Sequence, residues 1–223
     1  MKIKKIIFFA VDCQKDFMNS DGALYVEGAE TIKPNLKKLT EFAKENNIFV
    51  VNTADLHNIN DEELSQEPDF INTFPNHCII NTEGQKFIKE TNPHDYEKVN
   101  YIDYHSPFEF VINSKARDII IYKNKFDVFT GNPNTNKFLD LINPDIVIVY
   151  GVATNICVNH AVLGLIKKGI EVIVIKDAIK ELPNLSVIGI YHEWGIQGVG
   201  SSTVDEIMDN LKTMRMQGIN NDY

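Results

Sequence analysis

Cys157 stands where an almost purely apolar run, Val147-Ile148-Val149-Tyr150-Gly151-Val152-Ala153-Thr154-Asn155-Ile156, gives way to a helical pattern starting at Asn159-His160-Ala161-Val162-Leu163. A buried strand that stops at a glycine would deliver this thiol to the first turn of a helix. There the unpaired N–H groups and the positive end of the dipole both favour thiolate over thiol. Such a cysteine is a candidate nucleophile. The same position also suits an inert core thiol, because free cysteine is among the most buried residue types. Asp12 ends an earlier apolar run, Phe8-Phe9-Ala10-Val11, and a carboxylate at the C-terminal end of a strand faces the ligand crevice of an open α/β sheet. A turn-forming aspartate would occupy the same kind of place. Lys123 follows Ile119-Ile120-Ile121-Tyr122 at the same edge, with Lys125 as a rival.

A second constellation has metal-ligand character. Asp55-Leu56-His57 follows the strand-like run Ile48–Asn52, and residues two apart in extended chain point to one side. His77 lies beyond, in Phe74-Pro75-Asn76-His77-Cys78, and the intervening polar stretch offers Asp61, Glu62, Glu63 and Glu67. Two histidines with carboxylates suit Zn²⁺, Fe²⁺ or Mn²⁺ rather than Ca²⁺. The remaining histidines, His94, His105, His160 and His192, lack such partners and read as surface or satisfied interior residues.

The elements that must position these residues alternate. Strand-like runs at Ile6–Val11, Ile48–Asn52, Ile119–Tyr122, Ile146–Tyr150 and Ile170–Ile175 are separated by helical stretches near Thr31–Asn46, Pro107–Asn113, Thr135–Leu141 and Val158–Lys168. That alternation predicts βαβ units and a mostly parallel sheet covered on both faces, a three-layer αβα architecture. Gly169 and the pairs Asn132-Pro133 and Asn143-Pro144 punctuate the units, and Asn58–Thr73 reads as a long functional loop. At 223 residues the chain is expected to form one domain over residues 1–223, with a metal-loop insertion at about 55–84 and a fraying tail at 218–223. A net charge of -9 argues against a nucleic-acid binder, and no apolar run is long enough for a membrane span. The first apolar stretch leads straight into Val11-Asp12 without a small-residue cleavage site, so it reads as a strand rather than a signal peptide. Three cysteines, odd in number and far apart, fit reduced thiols in a cytoplasm.

Four ordered blocks, spanning about residues 5 to 205, resemble the isochorismatase-like cysteine hydrolase superfamily and, within it, the nicotinamidase branch. They are Val11-Asp12-Cys13-Gln14-Lys15-Asp16-Phe17; Asp55-x-His57 with Phe74-Pro75-x-His77-Cys78 and Thr82-x-Gly84; Lys123 through Phe129; and Gly151 through Val158 with Asp177-Ala178. The family's reactive lysine lies six residues before a phenylalanine, which favours Lys123 over Lys125. The resemblance implies a catalytic Asp12, Lys123 and Cys157, with Lys123 lowering the pKa of the thiol and a thioester formed on Cys157. It further implies a cis peptide at Val152-Ala153 and an oxyanion site made by the N–H groups of Ala153 and Cys157. Phe17 and Phe74 match aromatic positions at the substrate ring. Asp55, His57 and His77 match the metal ligands. Glu63 stands where many nicotinamidases carry a third histidine, with Glu67 or water as the alternative. The implied cofactor is one divalent ion, Zn²⁺ first, then Fe²⁺ or Mn²⁺. The implied reaction is hydrolysis of nicotinamide to nicotinate and ammonia, feeding pyridine nucleotide salvage. Another small-amide or carbamoyl hydrolase, or a non-catalytic metal- or partner-binding member, is the alternative. A small-molecule amide and a second copy in a homo-oligomer are the expected partners, with neither nucleic acid nor membrane.

Overall fold

A computed structural model describes residues 4–94, 96–99, 117–183 and 185–216. Its centre is a seven-stranded sheet in which every pairing is parallel. The strands are β1 (Ile6–Val11), β2 (Val50–Asp55), β3 (Tyr96–Val99), β4 (Asp118–Lys123), β5 (Ile146–Val152), β6 (Glu171–Lys180) and β7 (Gly200–Ser202). They lie side by side in the order β3-β4-β2-β1-β5-β6-β7. The architecture is three-layer αβα, as the alternation of buried runs and helical patterns predicts.

Strand β1 is apolar along its whole length because both of its faces are covered. Ile6, Phe8 and Ala10 point into one core, shared with Leu36, Leu39 and Phe42 of helix α2 (Lys33–Glu45). Ile7, Phe9 and Val11 point into the other, shared with Ala161, Val162 and Leu165 of helix α5 (Asn159–Lys167). Between α2 and α5 in the chain lie α3 (Val128–Gly131) and α4 (Thr135–Ile142), and a short α1 (Lys15–Met18) follows β1. Helices α6 (Ile188–Ile196) and α7 (Val204–Met216) complete the layers. Trp194 of α6 joins the α5 side, its indole N–H donating to Asn159 Oδ1 at 2.9 Å, and Ile207 and Leu211 of α7 join the α2 side. No helix among the described residues is long and apolar enough to cross a membrane.

Several boundaries differ from the sequence reading for local reasons. The chain is still closing helix α2 at Ile48, whose N–H donates to Ala43 O at 2.9 Å, so β2 starts at Val50 and runs on to Asp55. β6 extends five residues beyond Ile175, past polar residues that hydropathy alone ends on. Strands β3 and β7 are too short, and helix α6 too evenly apolar, to stand out in the sequence. The helical expectation at residues 107–113, His105 and the 218–223 tail lie outside the described residues.

The topology brings four strand ends together. The chain leaves β1 toward β2 and the far edge, then returns to lay β5 on the other side of β1. A crevice at the C-terminal ends of the strands results at that reversal. Asp12 directly follows β1, Asp55 ends β2, Lys123 ends β4, and Cys157 lies five residues past β5. Asp55 and Lys123 are register partners across β2 and β4. Gly151, at φ 117°, lets β5 approach β1, because a Cβ there would collide with the Val11 carbonyl.

Candidate active site and metal cluster

Asp12 sits in left-handed backbone (φ 47°), a conformation that a short polar side chain tolerates at a functional turn. Thr53, two residues before Asp55 and on the same face of β2, holds it. The Asp12 N–H donates to Thr53 O and Oγ1, each at 3.2 Å, and the Thr53 hydroxyl donates to Asp12 Oδ1 at 2.5 Å. The other carboxylate oxygen faces Lys123 Nζ at 3.0 Å. Lys123 is fully buried, also hydrogen bonds Asp55 Oδ1, and lies 3.8 Å from Cys157 Sγ. One ammonium therefore links two carboxylates and the thiol. Lys125 is half exposed and pairs with the surface carboxylate of Glu62, so the structure separates it from this group.

The charges balance unevenly. Burial would pull the Lys123 ammonium down, but Asp12 and Asp55 outweigh it and hold Lys123 well above its ordinary range. Burial would raise Asp55, and Lys123 outweighs it, so Asp55 stays ionised far below the usual carboxylate range. Asp12 is raised, because burial exceeds the pull of Lys123 and Asp55 adds repulsion. The Cys157 thiol is pushed well up by burial; Lys123 opposes that push, while Asp12 and Asp55 reinforce it. Lys123 thus acts on the thiol in the direction that the resemblance implies, but burial and the two carboxylates outweigh it. The lysine's single charge is already shared with the carboxylates of Asp12 and Asp55. Cys157 does not lie in the first turn of a regular α-helix. Thr154–Val158 forms a π turn that precedes α5. The Val152–Ala153 peptide just before that turn is cis.

Asp55, His57, Glu63 and His77 place one donor atom each within 4.8 Å of one another, all four buried. Hydrogen bonding fixes which nitrogen each histidine offers. His77 Nδ1 faces the Pro75 carbonyl at 2.7 Å, which only accepts, so Nδ1 carries a proton and Nε2 turns to the cluster, 3.4 Å from Asp55 Oδ2. His57 Nδ1 faces Asp61 Oδ2 at 3.3 Å, leaving its buried Nε2 without a hydrogen-bond partner. Two imidazoles aimed by outer carbonyl and carboxylate groups, with an orphaned Nε2 between two carboxylates, fit a borderline divalent cation. Asp61, among the carboxylates the sequence offers, supports His57 from outside the cluster. Glu62 and Glu67 are exposed, whereas Glu63 is buried. The His57 ring is held below its usual range by burial, against the pull of Asp55. For His77 burial is outweighed by the bond to Asp55, which raises it.

Burial pushes the Glu63 carboxyl up from 4.5 to about 7, with Asp55 adding to the rise and Lys123 opposing it. Folded protein without metal therefore holds a proton there that unfolded chain has released. The stability this group contributes is present below pH 4.5 and is lost as pH rises through about 7. Above that pH, metal-free Glu63→Gln is expected to exceed wild type by up to about 3 kcal/mol in urea unfolding, with the gap closing toward acid. A gap independent of pH would contradict this.

Cys157 and the cluster open onto one apolar pocket. Asp55, Glu63 and His77 form one side, while Phe17, Phe74 and Phe126 supply aromatic wall. Phe17 packs on the His77 ring at 5.3 Å, and Phe74 meets the Phe126 ring edge-on at 6.1 Å. The sequence reading missed four residues here. Gln14 straps β1 to β2, accepting the Asp55 N–H and donating to the Asp55 carbonyl, both at 2.7 Å, and to Gln85 O at 2.8 Å. Asn155 ties the Thr154–Val158 turn to Leu182, which lines the pocket, with bonds of 3.0 Å in each direction. Thr53 and Phe126 complete the set. Gln14 stands in the first block, Phe126 in the third and Asn155 in the fourth, and Thr53 in the alternation of β2; nothing local marks the partners each of them reaches.

A family model described as the Isochorismatase domain matches residues 7–108 and 109–187. The chain belongs to the isochorismatase family. Solved structures similar to this isochorismatase-family chain include the Pyrococcus horikoshii pyrazinamidase in complex with zinc, at 25% identity and TM-score 0.69, covering 89% of this chain and 99% of that one. Also similar is the nicotinamidase/pyrazinamidase of Bacillus subtilis, at 23% identity and TM-score 0.68, covering 91% of this chain and 100% of that one. The N-carbamoylsarcosine amidase of Thermoplasma acidophilum shares 20% identity and TM-score 0.68, covering 92% and 98%. No curated protein sequence matches the chain.

Proposed function

We propose that this isochorismatase-family hydrolase is a cysteine-dependent, metal-assisted amidase that converts nicotinamide to nicotinate and ammonia. One observation carries the reading: a thiol 3.8 Å from a buried lysine that pairs with Asp12 shares an aromatic-walled pocket with a two-histidine, two-carboxylate cluster. A divalent cation held by Asp55, His57, Glu63 and His77 would supply a Lewis-acidic partner for the lone pair of a pyridine nitrogen.

The chain's own residues do the bond chemistry. Asp12 takes the thiol proton as Cys157 Sγ attacks the amide carbonyl carbon, and the Lys123 ammonium stabilises the negative charge on sulfur as it forms. The N–H groups of Ala153 and Cys157 receive the oxyanion. Collapse breaks the C–N bond, Asp12 gives its proton to the departing nitrogen, and ammonia leaves a thioester behind. Water then adds to the thioester and yields a proton to Asp12. Collapse breaks the C–S bond, the Asp12 proton returns to sulfur, and nicotinate departs. The raised pKa of Asp12 suits a group that must hold a proton between steps.

The same machinery would serve an N-carbamoyl amino acid, the substrate class named for one of the similar structures. Such substrates carry a carboxylate, and Lys123, at the base of the site, is already paired with two carboxylates. Among the described lining residues no further cation meets the pocket, which favours a neutral planar amide. The expected result is ammonia release from nicotinamide at a kcat/KM at least ~100-fold above that for N-carbamoylsarcosine. Removing metal with EDTA is expected to abolish nicotinamide turnover, and adding Zn²⁺ or Mn²⁺ to restore it. Equal rates on both substrates, or full turnover in a verified metal-free sample, would reject this assignment. The unpaired Cys13, Cys78 and Cys157 agree with a reducing cytoplasm, where nicotinate would feed pyridine nucleotide salvage.

A further inference from the structure

Glu63 makes more connections than a ligand needs. Its buried carboxylate places Oε1 3.9 Å from His57 Nε2, inside the cluster, while Oε2 accepts the Phe126 N–H at 2.6 Å. Its backbone carbonyl accepts the Phe74 N–H at 2.8 Å. The two residues so held are the ones whose rings meet edge-on at 6.1 Å in the pocket wall. Phe126 lies three residues past Lys123, in the segment that leads into α3. We propose that Glu63 is a positioning residue that fastens the candidate metal cluster to the Phe74–Phe126 wall, so that filling the cluster stiffens the segment following Lys123.

The chemistry of the carboxylate explains why this residue type fits the place. A histidine has one lone-pair nitrogen when neutral; with that nitrogen on a cation, the other bears a proton and cannot accept the Phe126 N–H. A carboxylate has two oxygens, and each can take one task. The neighbouring carboxylates have no such reach, since Glu62 pairs with Lys125 at the surface and Glu67 is exposed. A cation drawing on Oε1 would order the side chain whose Oε2 anchors Phe126. Metal occupancy and wall rigidity would then rise together.

The inference rests on the metal reading but not on the substrate, and hydrogen–deuterium exchange of the intact protein tests it without any turnover. In metal-free protein, the Phe126 amide of Glu63→Ala is expected to exchange roughly tenfold or more faster than in wild type, the effect of losing the hydrogen bond that Glu63 Oε2 accepts. Glu63→Gln keeps an acceptor oxygen and should recover most of that protection, which a merely bulky residue would not. In wild type, Zn²⁺ should slow exchange across residues 124–131 while β6 stays unchanged, and Glu63→Gln should show much less slowing. Should Glu63→Ala fail to fold, the zinc response of wild type and of Glu63→Gln still decides. Zinc binding by calorimetry without added protection at 124–131 would overturn the link alone. Absence of zinc binding would overturn both the link and the metal reading. A Phe126 amide equally protected in Glu63→Ala and wild type would also overturn the link.

Discussion

Cys157→Ala is expected to lower amide hydrolysis by ~10⁴-fold or more while leaving fold and metal binding intact. Cys157 Sγ lies 3.8 Å from Lys123 Nζ and within 4.8 Å of an Asp12 carboxylate oxygen. Both partners remain after the substitution, still tied to Thr53 and Asp55, so the variant should keep the charge arrangement and lose only the acyl carrier. Mass spectrometry of wild type quenched during turnover should reveal an acyl adduct on Cys157, and the variant should show none. Activity within tenfold of wild type, or an adduct on Cys13 or Cys78, would contradict the covalent route.

The second large effect concerns stability. Lys123→Met removes an ammonium that is 1% exposed and neutralises two carboxylates, one of them 0% and the other 1% exposed. Deleting one partner of a buried ion pair leaves the other charge without compensation, a loss of about 3–5 kcal/mol. The sign with pH follows from linkage. Without the ammonium, Asp12 and Asp55 in the folded state would ionise less readily than in unfolded chain. The folded state then binds extra protons, and stability falls as pH rises through their elevated pKa values. Urea unfolding of metal-free protein should show the deficit of Lys123→Met growing between about pH 5 and pH 8. A variant as stable as wild type throughout would mean that the lysine is not the counter-charge of this site.

Much of this arrangement is legible in the sequence, and the reason is specific. A strand buried on both faces leaves an unbroken apolar run, so the polar residue that ends it is conspicuous. Asp12 directly follows such a run, Lys123 closes one, and Cys157 stands five residues past one, after the polar Thr154-Asn155 turn. The metal cluster was partly legible because Asp55 and His57 are two apart in extended chain. Glu63 needed the family resemblance, and only the three-dimensional path of the loop separates it from Glu62 and Glu67. What escaped the sequence acts across long separations. The bond between Glu63 and Phe126 joins residues 63 apart, and Asn155 reaches Leu182 across 27. No local period encodes such contacts. Electrostatic state was also hidden, because the sequence sets Asp12 and Lys123 beside Cys157 but does not show that Asp55, read there as a metal ligand, also claims the lysine's charge.

The most direct measurement is steady-state ammonia release from nicotinamide by purified, zinc-loaded wild-type protein, with equimolar nicotinate quantified in the same samples. Stoichiometric ammonia and nicotinate, at a kcat/KM of ~10⁴ M⁻¹s⁻¹ or higher, is the predicted result. A folded, metal-loaded protein that releases neither product would contradict the nicotinamide assignment.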